Sequence, residues 1–177
     1  VEAQEEYRGK SEMEYIIRKA TQDDTYRVGY VHYKSWLETY RQIIDDDYLD
    51  NLTLESRINK VHLYVDKCVV CEHEGKVVAF ASFNPSRDDD LVQAIEVSAI
   101  YVLKEHKNKG VGKRLINLCL QLNMHYDLLS LWVSKANENA ITAYKRMGLN
   151  PDGKETKYKI GNSEIEVIRM VKQVNEI

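Results

Sequence analysis

Residues 105–115 read EHKNKGVGKRL and lie between an apolar run at 95–103 and another at 115–122. Gly110 and Gly112 stand among Lys107, Lys109, Lys113 and Arg114, and no carboxylate follows Glu105. The strand-like run before the glycines and the helical spacing after them predict a strand, a turn and a helix from about Val111 to Tyr126. Such a turn presents unpaired backbone N–H groups at the positive end of a helix dipole. Glycine also lets the backbone approach an anion where a side chain would stand in the way. The segment is therefore either a cradle for a pyrophosphate or a plain helix cap with a solvated basic face. The loop alone leaves both open.

Two common nucleotide signatures fail here. A P-loop needs glycine at 107 and Ser or Thr at 114, where the chain has Lys107 and Arg114. A dinucleotide fingerprint needs glycine at 115, which is Leu115.

The 177 residues are 44% hydrophobic, with 25 Lys and Arg against 28 Asp and Glu, a formal charge of −3. That balance argues against general nucleic-acid binding, and the length suits one domain with a core that needs no staples. No apolar run approaches bilayer length, and VEAQEEYRGKSE at the start has no signal-peptide core. A cytoplasmic protein is expected, with neither membrane nor nucleic acid as partner. Met13 is a candidate natural start, so residues 1–12 are expected to be a disordered or tag-like tail and 13–177 a single domain.

Cys68 and Cys71 form a C-x-x-C. They fall on a predicted strand, where residues three apart point to opposite faces, and no second pair accompanies them. Strand packing is the expected role, rather than zinc or redox chemistry. Histidines 32, 62, 73, 106 and 125 show no ligand spacing, so no metal is expected.

Working outward, MEYIIRKAT reads as a strand, and TQDD caps a helix over about Asp23 to Ile44 with Tyr33, Trp36, Leu37, Tyr40 and Ile44 at helical spacing. A shorter helix follows, with Leu49, Leu52 and Ile58 inward. Strands are predicted near 67–73 and 76–84, then an NPSRDDD loop, then the strand in LVQAIEVSAIYVL. After the basic turn and its helix come a strand at LLSLWVS, a helix at NENAITAYKRM closed by Gly148, and a hairpin turning at Gly161–Asn162. The class is mixed α/β around one sheet.

This order, together with WVSKANENAITAYKRMGL, resembles the GNAT superfamily of N-acetyltransferases. The family's loop [QR]-x-x-G-x-[GA] is matched by KNKGVG, with Lys107 at its first position. Its later N-x-x-A-x-x-x-Y-x-x-x-G is matched by Asn137, Ala140, Tyr144 and Gly148, and EVSAIYVL looks like its fourth strand. The resemblance runs from Met13 to about Lys172. Lysine at 107 keeps the charge but lacks the planar fork of arginine. VHYKSWLETYRQIIDDDYLDNL is similar to one subgroup's first helices, except that Gln42 and Asp45 replace a glycine and a proline.

The resemblance implies a single domain with a central, mostly antiparallel, twisted sheet of about six or seven strands flanked by helices. It implies an acyltransferase with acetyl-CoA as cosubstrate and no metal. The cofactor contacts would be Ile100, Tyr101 and Val102 at the end of the fourth strand, the turn Lys107, Asn108, Lys109, Gly110, Val111, Gly112 and Lys113, and Asn137 and Ala140. A primary amine of a small molecule or a protein would attack directly in a ternary complex, and a homodimer follows by family analogy.

The chemistry sets its own demands. An alkylamine is only ~0.1% neutral at pH 7 and needs a base or a desolvating pocket. The developing oxyanion needs a placed donor, and the departing thiolate benefits from a proton. Glu96 is the candidate base, acting through a bound water, although it also reads as a solvent-facing glutamate. Strict alternation would set Ile95, Val97, Ala99 and Tyr101 on one face and Glu96, Ser98, Ile100 and Val102 on the other. Tyr144 is the candidate acid and otherwise a core tyrosine; Asn137 is a cofactor contact, a helix cap, or both. Trp36 and Tyr40, one helical turn apart, would wall the acceptor site or pack the core. Asp45–Asp47 would attract a cationic amine or form a solvated helix end. A non-catalytic CoA-binding sensor and an enzyme acting on protein N-termini or lysines stay open as alternatives.

Overall fold

The segments around the glycine turn fold as strand, turn and helix, in a computed structural model that describes residues 14–174. The tail expected for residues 1–12 lies outside the described residues. The order is β1 (Ile16–Lys19), α1 (Thr25–Tyr40), α2 (Asp46–Asp50), α3 (Leu54–Val61), β2 (Cys68–His73), β3 (Lys76–Pro85), β4 (Ala94–Val102), α4 (Val111–Leu122), β5 (Leu128–Ser134), α5 (Glu138–Arg146), β6 (Asn150–Ile160) and β7 (Ser163–Gln173). The strands form one seven-stranded sheet in the order β1-β2-β3-β4-β5-β7-β6. β4 and β5 are parallel, while the other neighbours are antiparallel.

Helix boundaries follow local chemistry. α1 stops at Tyr40, where the carbonyl accepts from both Ile43 and Ile44 at 2.9 Å, four residues short of the expected end. The single helix expected next is two, because Thr53 accepts from the Ser56 N–H through its side chain and so caps a new one. Leu49 is buried, whereas Leu52 and Ile58 are half-buried. α4 ends at Leu122, not Tyr126; the Asn123 amide donates to the Cys119 carbonyl at 2.7 Å and closes it.

Helices cover both faces of the sheet, so CVVC in β2 and VVAFAS in β3 are buried without alternation. On one face α1 packs His32 against Phe80 and Tyr101. On the other, the α4 positions Val111, Leu115, Ile116 and Cys119 bury at helical spacing. Cys68, Cys71 and Cys119 are all buried with free thiols.

β4 departs from the expected alternation. Its register against β3 runs Ser82↔Ala99 and then Phe83↔Val97, so Ser98 is an extra residue with no partner. This β-bulge shifts the faces by one beyond it. Glu96 pairs with Asn84, Ala99 with Ser82 and Tyr101 with Phe80, and directly opposed residues share a face. Glu96 therefore shares the α1 face with Ala99 and Tyr101, and Ile100 and Val102 take the α4 face. The expected grouping of Glu96 with Ile100 and Val102 is corrected by that one residue.

A second apolar cluster of Ile44, Leu49, Ile165 and Val167 joins the α1–α2 corner to β7. Asp45 pins it. Its carboxylate caps α2 through the Tyr48 N–H at 2.9 Å and accepts from the Asn162 N–H and the Ser163 hydroxyl, both at 3.2 Å. The Asp45 N–H donates back to Ser163 Oγ at 2.8 Å. Asp45 is thus a structural clamp at this corner.

α1 and α3 meet where Gly29 faces Ile58. A Cβ at Gly29 would lie 2.7 Å from Ile58 Cγ1 and 2.9 Å from its Cα. The backbone of α3 would have to move, so Gly29→Ala should destabilise by about 1–3 kcal/mol. The expected result is a lower urea midpoint at unchanged m-value.

Candidate active site

Parallel pairing of β4 with β5 covers only Ala94↔Leu128, Ile95↔Leu129 and Glu96↔Ser130. Beyond this point the strands part, and Val97–Val102 of one and Leu131–Ser134 of the other wall a cavity of about 740 Å³. Its remaining walls come from α1, the 106–113 turn and α5. The volume is that of a small-molecule or cofactor site.

Backbone groups of β4 face this opening. In an antiparallel ladder alternate residues turn both N–H and C=O to the same side. Leu103 donates to the Val78 carbonyl at 3.0 Å, so Tyr101 shares that side, and Ile100 and Val102 turn their N–H and C=O groups to the gap. An extended ligand with amides could pair there as a further strand.

The glycine turn forms one end of the cavity. Asn108 and Gly110 have φ of 60° and 75°, which curls the backbone into a concave cap over the start of α4. The first bond of the helix runs from the Arg114 N–H to the Gly110 carbonyl at 3.2 Å. The N–H groups of Val111, Gly112 and Lys113 thus have no partner within the helix and point out of its N-terminus. A Cβ at Gly110 would meet nothing within 4 Å, whereas one at Gly112 would lie 3.4 Å from Met147 Cε. This open concavity of N–H groups fits a pyrophosphate. Lys107 lines the cavity, while its N–H donates to the Lys104 carbonyl at 3.3 Å. Lys109 does not line the cavity; its ammonium lies 6.0 Å from the centre of the Tyr15 ring.

α5 supplies the opposite wall. Asn137 caps it, with Oδ1 accepting from the Ala140 N–H at 3.2 Å, and Asn137, Ala140 and Tyr144 all line the cavity. Tyr144 meets two further phenols there, Tyr40 from α1 and Tyr101 from β4. The Trp36 indole N–H donates to the Tyr101 hydroxyl at 3.0 Å, and Tyr40 lies against Tyr101. Burial pushes all three phenols above their ordinary range, and each is raised further by a neighbouring phenol or lowered only weakly by a hydrogen bond. All three therefore keep their protons at neutral pH. The part played by the Tyr101 side chain was missed in the sequence because the strand face was assigned without the bulge.

Two candidates stand behind the wall. Trp36 does not line the cavity; it packs between Tyr40, at 4.6 Å between ring centroids, and the Arg57 guanidinium, 4.3 Å from its ring. Glu96 is 6% exposed at the foot of the gap, in the last parallel pair, and Arg87 Nη2 is 3.6 Å from its carboxylate. Ser35, Glu38 and Thr39, which line the cavity from α1, were not singled out in the sequence. Their i, i+3, i+4 spacing as polar residues beside an aromatic stripe is the signal that would have found them.

Among the described residues no group of three or more His, Cys, Asp or Glu is placed to hold a metal ion, and no helix is long and apolar enough to cross a membrane.

Known proteins resemble this chain in sequence and fold. Residues 23–149 match the acetyltransferase (GNAT) family model. YuaI of Bacillus subtilis, described as an uncharacterized N-acetyltransferase, is 31% identical over 129 residues, covering 71% of this chain and 75% of its own. The PaiA N-acetyltransferase of Thermoplasma acidophilum, solved with coenzyme A, superposes with a TM-score of 0.72 at 18% identity, over 91% of this chain and 99% of that one. The yncA protein of Salmonella typhimurium, solved with its cofactor acetyl-CoA, gives 0.67 at 19% identity, over 93% and 96%. At these identities the two structures show likeness of fold.

His32, under the three phenols, carries a pH prediction. Burial, and then the charges of Arg57 and Lys60, push its imidazole down to about 3. The unfolded chain takes up that proton near pH 6.5, so protonation favours the unfolded state. Stability should be full above about pH 6.5 and fall as pH drops towards 3, by up to about 1.4 kcal/mol per unit from this group. Urea unfolding between pH 7 and 5 should show this slope reduced in His32→Gln.

Proposed function

The chain belongs to the acetyltransferase (GNAT) family and is an N-acetyltransferase, and we propose that it moves the acetyl group of acetyl-CoA to a primary amine by direct attack within a ternary complex. One observation carries this reading: the β4–β5 gap, with the Ile100 and Val102 backbone facing into it, Tyr144 on its wall and the N-terminus of α4 at its end.

Bound acetyl-CoA supplies an acetyl group activated as a thioester. The N–H groups of Val111, Gly112 and Lys113 hold the pyrophosphate in the turn, where Lys107 and Lys113 add positive charge and Gly110 leaves the approach clear. Ile100 and Val102 pair with the amides of the pantetheine arm, and Asn137 and Ala140 close the other side. A backbone N–H at the end of β4 stabilises the developing oxyanion. Tyr144 holds its proton at neutral pH and gives it to the departing sulfur. Glu96, on the face towards α1, takes the proton of the attacking amine through a water molecule at the foot of the gap.

Direct attack is supported by the thiols. Burial pushes Cys68 and Cys119 up to about 12 and Cys71 up to about 11, and none of them lines the cavity. Each stays a neutral thiol and a poor nucleophile at physiological pH. Small-molecule and protein amines are both candidate acceptors.

The test is thiol release from acetyl-CoA against a broad amine panel, with calorimetry of acetyl-CoA binding. Glu96→Gln and Tyr144→Phe should each lower kcat by about 10²–10⁴-fold at nearly unchanged acetyl-CoA affinity. Tight binding without turnover on any amine would move the reading to a protein acceptor or a CoA-binding sensor, and turnover indifferent to both substitutions would remove Glu96 and Tyr144 from the chemistry. An acetylated cysteine on the pathway would exclude direct attack.

A further inference from the structure

The cavity is electrically divided. Its cationic side chains, Lys107, Lys113 and Arg146, stand on the turn, α4 and α5. The α1 wall carries Glu38, the one carboxylate among the lining residues. Glu38 has no hydrogen bond or ion pair among the described residues, and Lys34, one turn back on α1, does not close on it.

Ser35 adds a second, independent observation. It lies one turn deeper on the same helix face, lines the same cavity, and is 1% exposed. Its hydroxyl is buried with no hydrogen-bond partner among the described residues, although a mid-helix serine commonly bonds the carbonyl four residues back. A buried hydroxyl left in this state costs free energy until a ligand or water satisfies it.

Arg87 and Arg57, the cations nearby, do not line the cavity. Arg87 turns to Glu96 at 3.6 Å, and Arg57 is buried against Trp36 with Nε and Nη2 unpaired among the described residues. The α1 end of the cavity therefore offers a negative charge and a hydroxyl, with no lining cation to receive an acceptor's carboxylate.

From this geometry we propose that the acceptor is a small diamine, whose reacting amine lies at Ser35 and whose second, non-reacting ammonium is received by Glu38. The proposal deepens the acetyltransferase reading and rests on it. The charge at Glu38 cannot serve the reacting nitrogen, because an ion pair would hold that nitrogen protonated and unable to attack. It serves a second cation. Three residues of helical rise and the outward reach of the glutamate span roughly 5–8 Å, which suits two amines separated by about four or five methylenes. An amino acid would set a carboxylate against Glu38 instead.

The test compares diaminobutane (an amine at each end), butylamine and the ω-amino acid aminobutanoate as acceptors. Calorimetry of diaminobutane binding to the CoA-saturated protein runs alongside. An ion pair at an exposed mouth is worth up to about 1 kcal/mol, so diaminobutane should exceed butylamine about fivefold in kcat/KM, chiefly through KM. The preference should shrink as salt is raised, and aminobutanoate should be the poorest of the three. Glu38→Gln should bring the diamine-to-monoamine ratio to about one, and Glu38→Lys should reverse the order of diaminobutane and aminobutanoate. Glu38 is exposed, so neither variant threatens folding. Equal use of diaminobutane and butylamine, or a preference that survives Glu38→Gln, would overturn the diamine assignment and leave the acetyltransferase reading standing. Absence of turnover with diamine binding that weakens in Glu38→Gln would do the reverse, and absence of both would remove the two together.

Discussion

The structure depends on β4 leaving β5 after Glu96 and Ser130. Two parallel strands that continued together would fill the gap with their own hydrogen bonds, and there would be no cavity. Leaving buried backbone groups unpaired costs about 1–3 kcal/mol for each one, so the parting needs support. It comes from two sides: α1 and its aromatic residues hold one face of β4, and α4 holds the other. The extra residue Ser98 bends and twists the strand at the place where pairing stops. That bend also brings Glu96 to the face it shares with Ala99 and Tyr101.

The same site keeps proton donors neutral by excluding water from them. Tyr40, Tyr101 and Tyr144 come from three different elements; burial makes ionising each of them harder, and neighbouring phenols add to this for Tyr101 and Tyr144. A phenol held neutral this way keeps its O–H as a hydrogen-bond donor at neutral pH. Positive charge is kept at the opposite end, on the turn and the first residues of α4.

Short-range features were readable before any coordinates. The glycine turn, the start of the helix after it, the cap at Asn137 and the tyrosine on the α5 face rest on spacings of a few residues, and each is where those spacings placed it. What escaped reading depends on register between distant segments. Nothing in AIEVSAIYV marks Ser98 as extra; the bulge exists only relative to β3, and the assignment of Glu96 to one face failed for that reason. Trp36 and Tyr40 share a stripe, but which of them reaches the cavity depends on Arg57 and Tyr101, twenty and more residues away. Asp45 reads as an exposed acid until the hairpin at 161–163 arrives to claim it.

That contact between Asp45 and the hairpin bears on how the protein can be re-engineered. The corner after α1 is bonded to a turn more than a hundred residues later through Asn162 and Ser163, and Gly161 has no room for a side chain, since a Cβ there would lie 2.8 Å from Asp45 Oδ2. Transplanting the first helices from a relative to obtain another acceptor preference would leave one half of this joint without its mate. The exchangeable unit is a pair of cassettes, residues 25–50 together with 160–163, and a library built on the first alone would sample misfit corners more often than new specificities.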